Sequence, residues 1–242
     1  MTTAALIVAA GSGTRLGSDV PKQYLNVAGK PILRRTIEAF LAHPGIDLIQ
    51  VVIGEGHEQF YAEAITGLEL SEGKHMPLPV TGGATRQISV HRGLEALARR
   101  EQGAPNVVLI HDAARPFVQP ALIDRLLHHL GMHEGVVPGL PVTDTVKRVN
   151  AEGIVVETPP RDSLRAVQTP QVFYLAPILA AHRQAAEEGR TDLTDDAAVA
   201  EYAGFEVAVV EGDPLNRKIT HAEDLTWAEE VARRLNMQEK DA

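Results

Sequence analysis

The chain has 242 residues, 44% of them hydrophobic and 23% charged, with a net charge of −9, which is ordinary for a globular protein with a sizeable core. That acidity argues against a general nucleic-acid or anionic-membrane binder, yet a few clustered cations still suffice to hold a small anion. The absence of cysteine excludes disulfide scaffolds, thiolate-bound metals and thiol catalysis, and with no apolar run long enough for a membrane span or a signal peptide the expected location is cytoplasmic.

Ala4 to Ala10 reads as a buried first strand, followed at once by the Gly-rich loop Gly11-Ser12-Gly13-Thr14-Arg15-Leu16-Gly17. Helical spacing runs from Pro31 to Leu41 through Ile32, Leu33, Thr36, Ile37 and Phe40. Leu48 to Ile53 is a second strand, and His57 to Ile65 a helix. Pro77 to Val80 reads as a short third strand ending at Thr81-Gly82-Gly83. Thr85 to Arg99 is the next helix, Asn106 to Ile110 a fourth strand, Pro120 to Leu130 a helix and Gly135 to Val142 a fifth strand. This alternation predicts an α/β fold with a doubly wound, mainly parallel, Rossmann-like sheet.

The rhythm then breaks. Thr145 to Val149 and Gly153 to Glu157 read as a hairpin with too little apolar surface to stand alone, so a projecting β-arm is expected at about 143–163. Ala166 to Tyr174 returns to the body as one strand. Helices at Leu175–Glu187 and Thr194–Tyr202, a strand at Phe205–Val210 and a helix from His221 to Leu235 complete the pattern, and the polar tail Gln238–Ala242 is expected to fray. With no repeat or linker, one domain over 1–242 is expected.

Ligands of open α/β sheets bind beyond the carboxyl ends of the strands. Here those ends carry Gly11, Gly13, Arg15 and Lys22; then Gly82, Gly83 and Arg86; then Asp112 and Arg115. Glycines let backbone N–H groups approach phosphate oxygens, and Arg15 and Lys22 supply charge for a triphosphate. The loop misses the dinucleotide fingerprint by one position and is not a P-loop. Asp112 suits Mg²⁺, substrate hydroxyls or a local cap, while His111 reads as a packed strand-end histidine. His129 and His133 have an i, i+4 spacing, but Gly131 is expected to end their helix, leaving a solvated end rather than a metal site. Thr194-Asp195-Asp196 reads as a helix N-cap with acids in the first turn.

AAGSGTRLG…PKQY, TGGATRQISV, HDAARPF, PVTDTVKR, QTPQVF and DPLNRKITHAEDL occur in this order from about Leu6 to Leu225. Together they resemble the 2-C-methyl-D-erythritol 4-phosphate cytidylyltransferase family. The resemblance implies a nucleotidyltransferase that moves CMP from CTP to 2-C-methyl-D-erythritol 4-phosphate in non-mevalonate isoprenoid synthesis, with Mg²⁺ or another divalent cation. It implies a transition-state-stabilising pair in Arg15 and Lys22, and nucleotide contacts at Gly11, Gly13, Gly83 and Ser89. Asp112 falls at the metal and substrate centre, with Arg115 expected to face the same crevice. Thr145 and Arg161 match residues that the arm delivers to a partner subunit, which implies a homodimer. Thr169 and Lys218 match substrate contacts, and Arg161 with Lys218 is implied to hold the acceptor phosphate. No nucleic-acid or membrane partner is expected. A cytidylyltransferase for another polyol phosphate, such as ribitol 5-phosphate, and a non-catalytic nucleotide-binding module remain open alternatives. A nicotinamide oxidoreductase is disfavoured by the loop spacing and the two cations.

Overall fold

The computed structural model describes residues 1–11 and 20–238, so Gly13, Arg15 and the rest of that stretch of the Gly-rich loop lie outside the described residues. The chain opens with β1 (Thr3–Ala9), then a short 3₁₀ turn at Lys22–Tyr24 and a small hairpin, β2 (Asn26–Val27) and β3 (Lys30–Pro31). There follow α1 (Ile32–Leu41), β4 (Leu48–Ile53), α2 (Glu58–Ile65), β5 (Val80–Thr81), α3 (Arg86–Ala98), β6 (Val107–Asp112), α4 (Pro120–Leu130) and β7 (Gly135–Pro141). The arm carries β8 (Arg148–Val149) and β9 (Val155–Glu157). The chain returns through β10 (Arg165–Val167) and β11 (Gln171–Tyr174), and ends with α5 (Leu175–Glu187), α6 (Asp196–Tyr202), β12 (Val207–Glu211) and α7 (Ala222–Gln238).

The central sheet runs β5-β4-β1-β6-β11-β7, with β12 on the outer edge of β7 and β10 continuing the line of β11. Only β10 and β11 run against the rest, so the sheet is mainly parallel, as the alternation predicted. Its strands are apolar on both faces. On β1, Ala5, Ile7 and Ala9 enter one core with Leu33, Ile37 and Phe40 of α1 and Leu122 and Leu126 of α4. Ala4 and Leu6 enter the opposite core with Val90 and Leu94 of α3 and Ile178 of α5. Two-faced burial of this kind is what a period-two strand between helical layers requires. A third cluster seats α7, through Ala228, Val231 and Ala232, on Val27, Ile32, Phe117 and Ile219.

Three sequence readings need correction. The expected third strand shrinks to Val80–Thr81, because Pro77 and Pro79 cannot donate ladder hydrogen bonds. The expected single strand over 166–174 is interrupted at Gln168-Thr169-Pro170, and its register against β7 shifts by two residues across the break. The arm is shorter in regular structure than its two apolar runs, with a register irregularity at Arg148/Val149. The hairpin β2–β3 is too short to show any periodicity; its turn places Ala28 at φ 47° and Gly29 at φ 78°. Among the described residues no helix is long and apolar enough to cross a membrane.

The distance between α3 and the sheet is set by Gly93. A Cβ there would lie 2.5 Å from Leu6 Cδ1 and 2.8 Å from Val52 Cγ2, both fully buried side chains. Gly93→Ala is therefore expected to lower stability by about 1–2 kcal/mol in urea unfolding, because overpacking exceeds the helix-propensity gain of about 1 kcal/mol. Unchanged or raised stability would mean that α3 has room to move away from the sheet.

Candidate active site

The ends of β1 and β6, the turn before α3 and the segment before α7 enclose a cavity of about 510 Å³, within the usual range for small-ligand sites. Its walls are Val8 to Gly11, Lys22, Gln23, Gly83 to Arg86, Ser89, Asp112 to Ala114 and Lys218. Gly11, Lys22, Gly83, Ser89, Asp112 and Lys218, separated by up to about 200 positions in sequence, are thus brought to one place.

Each arrives by a traceable route. Gln23, buried in the 3₁₀ turn, donates to the carbonyls of Ala9 (2.6 Å) and Gly11 (2.9 Å), fixing the exit of β1. Lys22 Nζ donates to the carbonyl of Ile219 at 3.0 Å. On the opposite wall, Thr85 caps α3 by accepting from Ile88 N, and Ser89 Oγ accepts from Gly83 N at 3.1 Å while donating to Thr85 O at 2.8 Å. Gly82 has to be glycine: a Cβ would lie 2.6 Å from Ala10 Cβ and 2.7 Å from Ser89 Oγ. The turn therefore approaches β1 closely with its backbone bare.

Asp112 is the last residue of β6, not a loop residue as its neighbours suggested. Its Oδ1 accepts from Arg86 Nε at 3.0 Å and its Oδ2 from Lys218 Nζ at 2.6 Å. Burial resists its ionisation, but these two cations outweigh burial and hold the carboxyl well below the usual carboxylate range. Behind it, Arg86 Nη2 lies 2.8 Å from Asp196 Oδ2, although the angle is not that of a hydrogen bond. Asp196 also meets His182 Nε2 at 3.3 Å.

Thr169 stands behind Asp112 and does not line the cavity of this chain. It is buried, and its Oγ1 accepts from Asp112 N at 3.1 Å. His111 Nε2 donates to the carbonyl of Arg115, so Nδ1 is the acceptor for the Thr169 hydroxyl in the neutral ring. Burial pushes this imidazole down to about 4, consistent with the packed role read from sequence. Arg115 is also outside the cavity wall: its Nη1 donates to Asn216 O at 2.7 Å and so anchors the segment that carries Lys218. Asn216 in turn donates to Thr169 O at 2.7 Å.

Thr145 and Arg161 are exposed on the arm and do not border their own chain's cavity. Arg161 Nη1 donates to Thr143 O at 3.2 Å. Within the run Thr194-Asp195-Asp196 read as a helix cap, it is Asp195 that accepts from Ala198 N, so α6 starts at Asp196 and not at Thr194. No group of three or more His, Asp or Glu suited to a metal occurs among the described residues, His129 and His133 included. Asp112 alone still fits a hard divalent cation that keeps water and phosphate ligands, since each of its oxygens retains a second lone pair.

The sequence reading did not count Arg86, Gln23, Asp196 or Asn216 as site residues. Arg86 follows the Gly82-Gly83 turn and is visible in the sequence as a cation at a strand end; the other three make contacts that no local pattern announces.

The model of the family IspD: 2-C-methyl-D-erythritol 4-phosphate cytidylyltransferase matches residues 3–234. A bifunctional enzyme IspD/IspF of Nitrobacter hamburgensis is 49% identical over 227 residues, covering 94% of this chain and 54% of that protein. The chain thus spans about half the length of the curated relatives it matches. Among solved structures, 4-diphosphocytidyl-2C-methyl-D-erythritol synthase of Anaerococcus prevotii superposes with a TM-score of 0.81 at 30% identity, covering 96% of each chain. The 2-C-methyl-D-erythritol 4-phosphate cytidylyltransferase of Thermus thermophilus gives a TM-score of 0.73 at 36% identity, covering 96% of this chain and 100% of that one.

Proposed function

The chain belongs to the IspD family of 2-C-methyl-D-erythritol 4-phosphate cytidylyltransferases, and from that premise we propose that it transfers CMP from CTP to 2-C-methyl-D-erythritol 4-phosphate. Pyrophosphate is the leaving group and the product enters non-mevalonate isoprenoid synthesis in the cytoplasm. The observation that carries this reading is the convergence of Gly11, Lys22, Gly83, Ser89, Asp112 and Lys218 on one cavity. One nucleotidyltransferase domain spans 1–242, with the arm at about 143–163.

The acceptor phosphate already carries anionic oxygen near neutral pH, so no general base is required. One of its oxygens attacks the α-phosphorus of CTP, the bond to pyrophosphate breaks, and the bonding electrons leave on pyrophosphate. The obstacle is mutual repulsion of the two polyanions. Lys22 on one wall and Lys218 on the other, with Arg15, offset that charge and fix an in-line approach. Lys22 acts as a point charge, whereas an arginine, the residue type at position 15, has the donors to fork to two oxygens. The N–H groups of the Gly82-Gly83 turn already donate to Ile53 O and Ser89 Oγ, so the Gly83 carbonyl is the group the turn offers to the pyrimidine edge. Asp112 would hold Mg²⁺, and the cation would supply positive charge to offset that of the phosphates.

Arg161 and Thr145 need a second copy of the chain to reach a cavity. The arm supports that arrangement: Val149, Ile154, Val155 and Val156 are all more than half exposed. A homodimer in which each arm completes the other's site accounts for both features.

The direct test is pyrophosphate release from CTP and Mg²⁺, with 2-C-methyl-D-erythritol 4-phosphate and ribitol 5-phosphate offered in parallel. Release with the first alone is expected. Release with ribitol 5-phosphate alone would keep the mechanism and change the acceptor, and silence with both from CTP-binding protein would favour the non-catalytic reading.

Two substitutions probe the roles. Lys22→Ala is expected to lower kcat by about 100-fold or more, with a much smaller rise in KM for CTP. A variant that lost only CTP affinity would remove Lys22 from the transition-state role. Mixed subunits carrying Lys22→Ala and Arg161→Ala are expected to regain activity through heterodimers with one intact site, and a mixture that stayed inactive after verified exchange would refute the arm's action across subunits.

A further inference from the structure

We propose that Asp196 is a positioning residue of the transfer site, acting through Arg86 to orient Asp112 while leaving that carboxylate's charge available to the cavity. The proposal rests on the cytidylyl-transfer reading above.

Arg86 is the first residue of α3 and reaches the cavity with a quarter of its side chain exposed. Its Nε donates to Asp112 Oδ1 at 3.0 Å, and its Nη2 lies 2.8 Å from Asp196 Oδ2. These nitrogens form one edge of the guanidinium, an edge that a single carboxylate commonly takes in bidentate fashion. Here two carboxylates from different elements divide it.

The charge balance explains the division. Lys218 and Arg86 are cations on Asp112, and Arg115 lies within range of the same charges, so Asp112 as the sole anion would leave the group net positive. Asp196 offsets part of that excess from the side away from the cavity, with His182 as its other neighbour. Arg86 then draws part of its compensation from behind, and Asp112 keeps more of its field for what enters in front. The isolated alternative, an Arg86 balanced by Asp112 alone, would bind that carboxylate along both edge nitrogens and turn it from the cavity.

The placement of Asp196 is itself built. Gln171 Oε1 accepts from Asp196 N and Ala197 N, both at 2.9 Å, and its Nε2 donates to Asp195 Oδ2 at 2.7 Å. Asp195 Oδ1 caps Ala198 N at 2.9 Å. The first turn of α6 is thereby fastened to β11 with the Asp196 side chain only 1% exposed. Stability alone does not call for a charge there, since well-packed apolar residues commonly equal or exceed a buried ion pair.

The test compares wild type, Asp196→Asn, Arg86→Met and the double variant, each confirmed folded by circular dichroism. Pyrophosphate release gives kcat and KM, and calorimetry gives the affinity for CTP with Mg²⁺. Asp196→Asn is expected to lower kcat tenfold or more without weakening CTP binding, because removing a buried negative charge cannot repel a polyanion. In the Arg86→Met background the same change is expected to lower kcat no further, because the residue through which Asp196 acts is gone. Should Arg86→Met fail to fold, Arg86→Lys replaces it in the cycle, with the second loss again smaller than the first.

A kcat of Asp196→Asn within twofold of wild type would overturn the proposal. So would full multiplicative loss in the double variant, or equal losses in kcat and CTP affinity, which mark general loosening. Failure of the reaction reading appears separately, as an inactive wild type. The cycle is then read in CTP–Mg²⁺ affinity: tighter binding by Asp196→Asn that is lost in the Arg86→Met background supports the linkage, and no tightening, or tightening of equal size in both backgrounds, refutes it.

Discussion

A carboxylate at the end of a buried strand governs this molecule. β6 is buried on both faces to its last residue, Asp112, and apolar from Val107 to Ile110. A bare charge there would be driven to protonate or would destabilise the strand end. The fold answers with cations from two distant segments, Arg86 at a separation of 26 residues and Lys218 at 106. Much of the surrounding architecture serves to hold those two. Gly93 lets α3 lie against β1 and β4, which brings its first residue over the strand ends. The segment bearing Lys218 is secured because Ile219 is buried beneath α7 and Ile219 N donates to Ala114 O at 2.8 Å. Asp224 accepts from Thr220 N and His221 N and starts the helix that covers it.

The interruption of the antiparallel line at Gln168-Thr169-Pro170 is the second element of this design. An unbroken strand would spend the backbone groups of these residues on β7 and alternate their side chains between the two cores. Gln168 N still donates to Pro138 O of β7 at 2.8 Å, but the other groups of this stretch link separate segments. Gln168 holds Asp213 by accepting from its backbone N–H and donating to its carbonyl. The Thr169 hydroxyl meets Asp112 N and His111, and its carbonyl accepts from Asn216. Directly beyond the break, Gln171 fastens α6 and so places Asp196. A reaction driven by positioning two polyanions needs groups fixed within fractions of an ångström, and this stretch supplies that rigidity.

Such features mark the limit of what the sequence discloses. The layers are legible because β1, β4 and β6 are predominantly apolar runs and α1 repeats its apolar residues every three or four positions. The strand-end rule makes Gly11, Lys22, Gly83 and Asp112 legible as neighbours from their positions along the chain alone. The Asp195 cap is legible from its position before an Ala-rich turn. Thr169 is assigned to the substrate because its motif matches the family, yet a motif identifies a residue without saying which way it faces. Arg115 illustrates the same point: the D-x-x-R spacing is local, but its carbonyl partner on Asn216 is 101 positions away. Arg86 is visible, while the Asp196 that compensates it lies on a helix whose approach depends on Gln171. Long-range polar contacts of this type leave no periodic trace.

The arm obeys a different constraint from the body. In a half-buried strand, apolar and polar residues alternate because one face meets a core. Val155 and Val156 are adjacent, so they face opposite ways, and both are more than half exposed, as are Val149 and Ile154. Covering one face would leave apolar side chains on the other. The proposed partner subunit therefore has to enclose the arm from both sides, and at about 25 cal/mol per Å² that burial, rather than the short β8–β9 ladder, supplies most of the arm's order. Thr145 and Arg161 flank that ladder. Their placement is then coupled to assembly, which makes a complete site a property of the pair of chains and not of one.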